Sequence, residues 1–319
     1  MTEVDLRLVA LAEIDPGDTT FEIRKFTGSV RLQESLGRFG ILDPLWLFEK
    51  PGGYAVVDGF SRLRWAKENG IRGLDCRVFA ACEPRELLTR RIEKKIFEGE
   101  MNPAEKAQIV AVLAGFFGPG EIPGMFLSSL KVAGSPESLR KWVLVSQRGR
   151  EMLEPLAAGE ICERAAMEVA DWDPESSGSI LSLLRTLRCS ASIQVEIIER
   201  VTEIALREEK TRAAVLAMER VRGIVANEEL NHREKTAAVR EFFAELRNPR
   251  LSSRRKRFEH VLEALGLPHG VRIVPPESFE GGGFHMELSF GRPEELRKMF
   301  REVRPLVESD RLDSIFEKR

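Results

Sequence analysis

The sequence has few residues of the kinds that build metal or disulfide sites. Its 319 residues include four cysteines and four histidines: Cys76, Cys82, Cys162, Cys189, His232, His260, His269 and His285. No two cysteines have the CxxC spacing, and the histidines fall in no spacing typical of metal ligands. We therefore expect reduced, structural cysteines and no metal site.

Long apolar runs are also missing. No segment approaches the ~20 apolar residues that a membrane span needs. The N-terminal residues MTEVDLRLVALAEI have no basic start followed by an apolar stretch, as a signal peptide would. We therefore expect a cytoplasmic protein with no membrane partner.

The composition is that of a globular protein with no excess of positive charge. Hydrophobic residues make up 43% and charged residues 31%, and the net charge is −2. These values allow buried cores and, at this length, two or three domains. The net charge counts against a protein that coats nucleic acid by bulk charge, but it does not exclude local basic patches.

The first hundred residues predict a mixture of strands and helices. Val4, Leu6 and Leu8 alternate with polar neighbours, which predicts a half-buried strand. Leu32, Leu36 and Phe39 have helical spacing, and Gly40 ends that helix. Further strands are predicted at 45–48, 54–57 and 74–79, and further helices at 61–69 and along the stripe of Leu88, Ile92 and Ile96.

From Asn102 the sequence predicts helices almost throughout. Asn102 and Glu105 form a capping box around a first-turn proline, and Ser135-Pro136-Glu137 begins another helix in the same way. Residues 173–178 predict a loop, and residues 247–253 a linker. The other elements predicted are an amphipathic helix with Ile193, Ile197, Val201 and Ile204, a helix at 227–246, and a tail of helix (253–265), strand (271–274), glycine loop (281–283), strand (285–290) and helix (293–306).

The sharpest local pattern is the turn from Gly59 to Arg64. A strand ends there, a glycine turns the chain, and a helix begins with two arginines in its first turn. Helix N-terminal amides favour anions, Ser61 can cap or donate, and Arg62 can clamp a phosphate with two hydrogen bonds. The pattern therefore indicates a phosphate site, although an ordinary turn with solvated arginines has the same pattern.

Two further segments indicate nucleic-acid contact. A candidate helix-turn-helix comprises 125–130, a turn through Ala133-Gly134, and a helix from Pro136 to about Ser146. The start of its second helix would present Ser138, Arg140 and Lys141 to a major groove. The densest basic run, Arg254, Arg255, Lys256 and Arg257 with Arg250 before it, would contact phosphates without reading sequence. The alternatives are an ordinary helical pair and a solvated linker.

Residues 4–80 resemble the N-terminal domain shared by ParB proteins and sulfiredoxin. The matching segments are LQESLGRFGILDP at 32–44 and VVDGFSRLRWA at 56–66. The segment MNPAEKA at 101–107 resembles the opening of the ParB helical DNA-binding domain, and LEPLAAGEI at 153–161 resembles its later helices. The tail from Leu265 to Leu306 resembles the ParB C-terminal dimerisation module.

This resemblance implies a fold of three parts that is predominantly helical overall. Residues 1–98 would form an α+β ParB/sulfiredoxin-like domain that binds nucleotide phosphates. Residues 99–247 would form an all-α DNA-binding domain with a helix-turn-helix, and 253–319 a small α+β dimerisation domain. The nucleotide-binding positions it implies are Gly59, Phe60, Ser61, Arg62, Arg64, Lys94 and Lys95.

The sequence departs from the family at two places. The family turn reads Gly-Glu-Arg-Arg, whereas here it is Gly59-Phe60-Ser61-Arg62. A Glu–Asn pair used near a nucleotide-bound metal aligns with Lys94 and Lys95, where a hard cation such as Mg²⁺ would meet repulsion. Phe60 also stands where sulfiredoxin has its essential cysteine, which excludes the sulfiredoxin reaction.

The resulting hypothesis is a ParB-like dimer that binds double-stranded DNA. It would act as a CTP-regulated clamp in chromosome or plasmid partition, at the nucleoid and with a partition ATPase as partner. Any catalysis would be weak CTP hydrolysis, and no catalytic residue is assigned. Two alternatives stay open: a ParB-fold nuclease or phosphotransferase, with Asp43 and Asp58 as acidic candidates, and an adaptor that has lost DNA recognition.

Overall fold

The structure is a computed structural model. It describes residues 4–23, 30–80, 82–99, 101–118, 120–122, 124–276, 279, 283–308 and 312. The chain divides into two compact units, Met1–Ile198 and Glu199–Arg319. No helix in the described part of the chain is long and apolar enough to cross a membrane.

The first unit begins with a four-stranded mixed sheet. The strands are β1 (Val4–Ala10), β2 (Leu45–Lys50), β3 (Gly53–Asp58) and β4 (Gly73–Phe79), in the order β1-β4-β2-β3. The pair β2–β4 is parallel, and β1–β4 and β2–β3 are antiparallel. Helices α1 (Val30–Phe39), α2 (Phe60–Glu68) and α3 (Pro84–Phe97) accompany the sheet. Leu45, Leu47, Val56, Cys76 and Val78 are among the residues that form its core.

The predicted orientation of β1 is wrong. Val4, Leu6 and Leu8 are 46%, 64% and 72% exposed, whereas Val9 is buried in the core of the sheet. Alternation shows which side chains share a face of a strand, but the face that meets the core depends on the neighbouring elements. Here the core lies on the Val9 side.

The rest of the first unit is helical, as predicted. The helices are α4 (Pro103–Phe116), α5 (Gly124–Leu130), α6 (Pro136–Gln147), α7 (Arg150–Ala157), α8 (Glu163–Val169) and α9 (Pro174–Leu187), and α10 (Ala191–Arg207) begins in it. The predicted capping box is present. The Asn102 side chain accepts from the Glu105 amide at 3.0 Å, and the Glu105 side chain accepts from the Asn102 amide at 3.2 Å. Helices α5 and α6 lie where the two helices of the candidate helix-turn-helix were predicted.

Two segments predicted as irregular are helical. The supposed loop 173–178 is the start of α9, because Asp173 accepts from the Ser176 amide at 2.9 Å and Pro174 occupies the first helical position. The supposed linker 247–253 is mostly the start of α14 (Pro249–Leu265), with Asn248 alone between α13 and α14. In both places a proline begins a helix, since its missing N–H would have no partner there in any case.

The second unit continues with α11 (Arg212–Leu216), α12 (Glu219–Ala226) and α13 (His232–Arg247). Helix α13 begins five residues later than predicted, because Asn231 caps it through the amides of Arg233 and Glu234. Beyond α14, the strands β5 (Val271–Val274) and β6 (His285–Leu288) pair antiparallel, and α15 (Pro293–Val307) follows. Strand β6 ends two residues before its predicted end, and Gly281 and Gly282 of the predicted glycine loop lie outside the described residues.

Candidate functional site

The turn between β3 and α2 requires a glycine. Gly59 has a φ of 105°, in the left-handed region, and it precedes the first residue of α2. A Cβ atom at this position would lie 2.8 Å from Cγ of Leu45, which is fully buried. The backbone therefore passes directly over the core, and the first amides of α2, which have no acceptor within the helix, face outward from its N-terminus.

Ser61 does not cap this helix. It is the second residue of α2, and no side chain caps the N-terminus. The expected capping role is therefore wrong, since a cap must precede the first helical residue, where Gly59 stands. Ser61 instead lines a pocket at the turn, together with Phe60 and Arg62.

Arg62 is fixed in place by several acceptors. Its Nη1 donates to a carboxylate oxygen of Asp43 at 2.7 Å and to the backbone carbonyls of Asp43 and Pro44 at 2.5 and 3.3 Å. Its Nη2 donates to Asp58 at 3.1 Å. Only 13% of the side chain is exposed, so the guanidinium group is held in one orientation.

Asp58, the last residue of β3, joins three cations. Its carboxylate lies 2.7 Å from Lys94 Nζ, 3.1 Å from Arg62 Nη2 and 3.9 Å from Arg91 Nη2. Burial by itself raises the pKa of this carboxyl. The hydrogen bond from Lys94 and the charges of Arg91, Lys94 and Arg62 outweigh the burial, and they hold the pKa below its ordinary value.

Arg91 is a site residue that the sequence analysis missed. It is 6% exposed, lines the pocket, and donates to the backbone carbonyl of Phe21. Its guanidinium carbon lies 5.5 Å from the centre of the Phe60 ring. Burial lowers its pKa, and the charge of Asp58 opposes that shift. The only sequence signal was an arginine within the apolar stripe of α3, next to Ile92.

Lys94 and Lys95 have different surroundings. Lys94 pairs with Asp58 and lies 3.5 Å from Asp43, and its Nζ is 5.0 Å from the centre of the Trp46 ring. Burial lowers the pKa of Lys94, but Asp58, Asp43 and Glu98 together raise it above its ordinary value. Lys95 lines the pocket and pairs with the buried Glu105 of α4 at 2.8 Å.

Asp58, Arg62, Arg91 and Lys95 line a pocket of about 330 Å³, whereas Lys94 reaches it only through its contacts with Asp58 and Asp43. Its polar lining residues come mainly from the Gly59–Arg62 turn, with Asp43, Arg91, Lys95 and Glu98. Its apolar lining residues are Ile23 and, in and after α1, Leu32, Leu36 and Leu42. Arg64 is not among the lining residues; its side chain is 56% exposed and lies 4.0 Å from Glu22. The pocket is thus lined by both cations and apolar side chains.

The carboxylates here are engaged by cations. Asp43 and Asp58 both contact Arg62 and Lys94. Among the described residues no group of three or more His, Cys, Asp or Glu side chains is arranged to hold a metal ion. The described part of the site therefore provides cationic donors for an anion and no set of oxygen ligands for a hard cation.

The candidate DNA-contacting residues of α6 are partly neutralised. Arg140 pairs with Glu137 at 2.9 Å and lies 3.6 Å from Asp171. The hydrogen bond from Arg140 lowers the pKa of Glu137. Ser138 and Lys141 are half-buried in the same two turns of helix. The face is accessible but carries acidic as well as basic groups.

The basic run lies on α14 in the second unit. Arg254, Arg255, Lys256 and Arg257 are all exposed, and Lys256 pairs with Glu245 at 2.6 Å. Arg250, Arg254 and Arg257 repeat at helical spacing and line an open groove of about 570 Å³ with Pro249 and Ser253. One face of α14 therefore presents three arginines along about two turns.

No protein-family profile and no curated protein matches the chain, but solved structures of ParB proteins do. One is the C-terminally truncated chromosome-partitioning protein ParB from Caulobacter crescentus complexed with CTP-γ-S, at 18% identity and a TM-score of 0.26. That match covers 56% of this chain and 98% of the other.

Two more ParB structures are similar. The Caulobacter crescentus ParB complexed with the centromeric parS site has 15% identity, a TM-score of 0.33, and coverage of 61% and 99% of the two chains. The N-domain of a pNOB8-like ParB has 16% identity, a TM-score of 0.30, and coverage of 75% and 96%. The similarity is thus to structures of the family that the sequence resembles.

Replacing Asp58 by Asn should destabilise the protein in a pH-dependent way. At pH 7 the Asp58→Asn variant loses the partly buried charge that Arg62, Arg91 and Lys94 share, which costs about 3 kcal/mol. Because the pKa of Asp58 is lowered in the folded state, the stabilisation is present above its ordinary value of 3.8 and is lost as the pH falls below it. Urea denaturation at pH 7 and at pH 3 measures the difference in free energy of unfolding between wild type and Asp58→Asn at each pH.

The matched control is Asp75→Asn, which removes an exposed carboxylate from β4. We expect it to change the free energy of unfolding by less than about 0.5 kcal/mol. An Asp58→Asn variant as stable as wild type at pH 7 would show that the carboxylate does not hold the cluster together.

Proposed function

We propose that the chain is a ParB-like DNA-binding protein whose Gly59–Arg64 turn binds a nucleotide, with CTP as the first candidate. The observation that carries this proposal is the convergence of Arg62, Arg91 and Lys94 on a glycine turn at a helix N-terminus, beside a pocket. Helix amides and fixed guanidinium groups are the donors that a phosphate chain needs.

The pocket suits a nucleotide in size and in polarity. Its volume of about 330 Å³ is within the range of small-molecule sites. The turn would hold the phosphates, and the apolar lining residues in and after α1 would contact the sugar and base. CTP is favoured because a ParB protein to which the chain is similar was solved with a CTP analogue.

Hydrolysis would be slow or absent. Phe60 occupies the acidic position of the family turn, and it can neither orient water nor hold a metal. Lys94 and Lys95 stand at the acid–amide pair, and each makes an ion pair with a carboxylate. The described part of the site therefore has donors for binding, and its acids Asp43 and Asp58 are paired with cations rather than available as a general base.

CTP should bind without magnesium and should depend on Arg62. We expect Arg62→Ala to weaken binding at least about tenfold, since it removes a charge-assisted contact. Arg64→Ala should have a much smaller effect, because Arg64 is exposed and does not line the pocket. Calorimetric titration with and without Mg²⁺ measures both, and phosphate release with DNA present tests turnover.

Brisk magnesium-dependent turnover would refute slow hydrolysis. The absence of binding by any nucleotide to the wild-type chain would refute the site itself. If Arg62→Ala and Arg64→Ala lose the same amount of CTP affinity, the phosphate contacts lie outside the pocket.

DNA binding would use two surfaces. The start of α6, with Ser138, Arg140 and Lys141, would read the groove, and the arginine face of α14 would contact phosphates. A clamp on DNA in chromosome or plasmid partition, with a partition ATPase as partner, is the role that the family resemblance suggests. The pairing of Arg140 with Glu137 and Asp171 instead favours the alternative, an adaptor without DNA recognition.

Variants at the two surfaces should differ in their salt dependence. Replacing Arg140 and Lys141 by Ala should weaken binding to a cognate fragment selected from genomic DNA, with little change for other DNA. Replacing Arg254, Arg255 and Arg257 should weaken binding to all DNA alike and flatten its dependence on salt. Fluorescence anisotropy across a salt series measures both. If the intact protein binds no genomic fragment even at low salt, the adaptor interpretation replaces this one.

The end of the second unit would make the protein a dimer. Its two strands, α15 and the segment between β6 and α15 leave several apolar side chains exposed: Val274, Met286, Phe290, Phe300 and Val307. The core beneath consists of two small clusters around Phe258 and Met299. Pairing across a two-fold axis would extend the sheet and cover the apolar residues.

Removal of residues 248–319 should therefore give a monomer in light scattering. In the full chain, Phe300→Glu should also shift the equilibrium toward monomer, since it would bury a charge in the interface. The matched control is Leu206→Glu, an 82% exposed leucine of α10, which should leave the dimer intact. A truncated chain that stays dimeric would place the interface elsewhere.

A further inference from the structure

Asp43 places a negative charge within the candidate phosphate site. It lies on the short segment between α1 and β2 and lines the pocket. Its carboxylate oxygen is 2.7 Å from Nη1 of Arg62 and 3.5 Å from Nζ of Lys94. A phosphate oxygen bound by these two cations would have to occupy the same place.

Asp43 and Asp58 differ in how firmly they are held. The Asp58 side chain is 21% exposed and contacts three cations. The Asp43 side chain is 56% exposed and contacts two, the second at 3.5 Å. Because more than half of the Asp43 side chain is exposed, water can replace Arg62 and Lys94 as its partner, and such an ion pair contributes little to stability. The Asp43 carboxylate can therefore leave at small cost, whereas Asp58 stays.

Arg62 would keep its position when the Asp43 carboxylate leaves. The backbone carbonyls of Asp43 and Pro44 also accept from Nη1, and Asp58 accepts from Nη2. Pro44 restricts the backbone of the residue before it, so these carbonyls are held in place. The guanidinium group is thus fixed for an incoming anion by contacts that do not involve the Asp43 side chain.

The charges of this cluster almost cancel in the absence of ligand. Arg62, Arg91 and Lys94 face Asp43 and Asp58, and Glu98 lies 3.6 Å from Lys94. A polyphosphate approaching the turn meets a nearly neutral group of side chains. Withdrawal of Asp43 would give the cluster the positive charge that phosphate binding needs.

We propose that Asp43 determines the affinity of the Gly59–Arg64 turn for phosphates by competing with them for Arg62 and Lys94. This inference rests on the proposed nucleotide site and adds its mode of binding: the ligand's anionic group exchanges with an internal carboxylate. A ligand must then bring a group able to bridge two cations. Inorganic triphosphate meets this requirement, and cytidine, which has no phosphate, does not.

The test is calorimetric titration of the full-length wild type and the Asp43→Asn variant with CTP, inorganic triphosphate and cytidine, without magnesium. The asparagine keeps the size of the side chain and removes its charge. We expect Asp43→Asn to bind CTP and triphosphate about tenfold more tightly, because the ligand no longer has to displace a charged carboxylate from Arg62 and Lys94. Asp43→Ser, with a smaller side chain, should change affinity in the same direction.

The matched control is Glu98→Gln. It removes the same charge from the lining of the same pocket, and Glu98 contacts Lys94 but makes no ion pair with Arg62. We expect it to raise affinity much less than Asp43→Asn does. Thermal denaturation of all variants shows that each is folded.

The outcomes separate this inference from the proposed function. If wild type and Asp43→Asn bind triphosphate equally, or if Glu98→Gln gains as much as Asp43→Asn, competition by Asp43 is overturned and the nucleotide site stands. If Asp43→Asn alone binds, competition by Asp43 is supported, and the proposed nucleotide binding by the wild-type chain is refuted. If no variant binds either phosphate ligand, the proposed site is wrong and the inference falls with it.

Discussion

The Asp58 carboxylate is the interaction on which the candidate site depends. It ends β3, and it joins α2 through Arg62 and α3 through Arg91 and Lys94. Three cations brought together at the edge of a core would repel one another and would lose hydration. The partly buried Asp58 carboxylate offsets part of both costs, because opposite charges attract more strongly where water is scarce. The carboxylate therefore fixes the relative positions of strand and helices at the pocket.

The glycine that follows Asp58 sets the second constraint. A Cβ atom on residue 59 would lie only 2.8 Å from Cγ of Leu45, and the φ of 105° at Gly59 is unfavourable for other residues. The chain can therefore reverse direction within one residue and begin α2 next to the last residue of β3. As a result Asp58, at the end of β3, and Arg62, four residues later in α2, approach within 3.1 Å. Backbone geometry and charge pairing here support each other.

Local patterns predicted the elements of the fold well, because caps, prolines and periodic apolar residues act over a few residues. The Asn102 box and the glycine turn are examples. The exposed side of β1 was not predicted, since it depends on which neighbours pack against the strand. The helix that begins at Pro174 was missed although its signals, the Asp173 cap and the first-turn proline, are local. The same limit applies to the site: Gly59 and Arg62 were identifiable from sequence, whereas Arg91 and the pairing of Asp43 with Arg62 depend on contacts between residues 19 to 70 positions apart.

The charge pairing that stabilises the fold without ligand opposes the binding of an anionic ligand at the candidate site. Buried cations such as Arg91 require counter-charges while the pocket is empty, and a phosphate ligand requires the same cations with those charges removed. A site that used only buried carboxylates would be stable but closed to anions, and one with none would be strained without ligand. Pairing a fixed acid, Asp58, with an exposed one, Asp43, satisfies both requirements, because only the exposed acid has to move. The affinity of such a site then depends as much on the acid displaced as on the cations that bind.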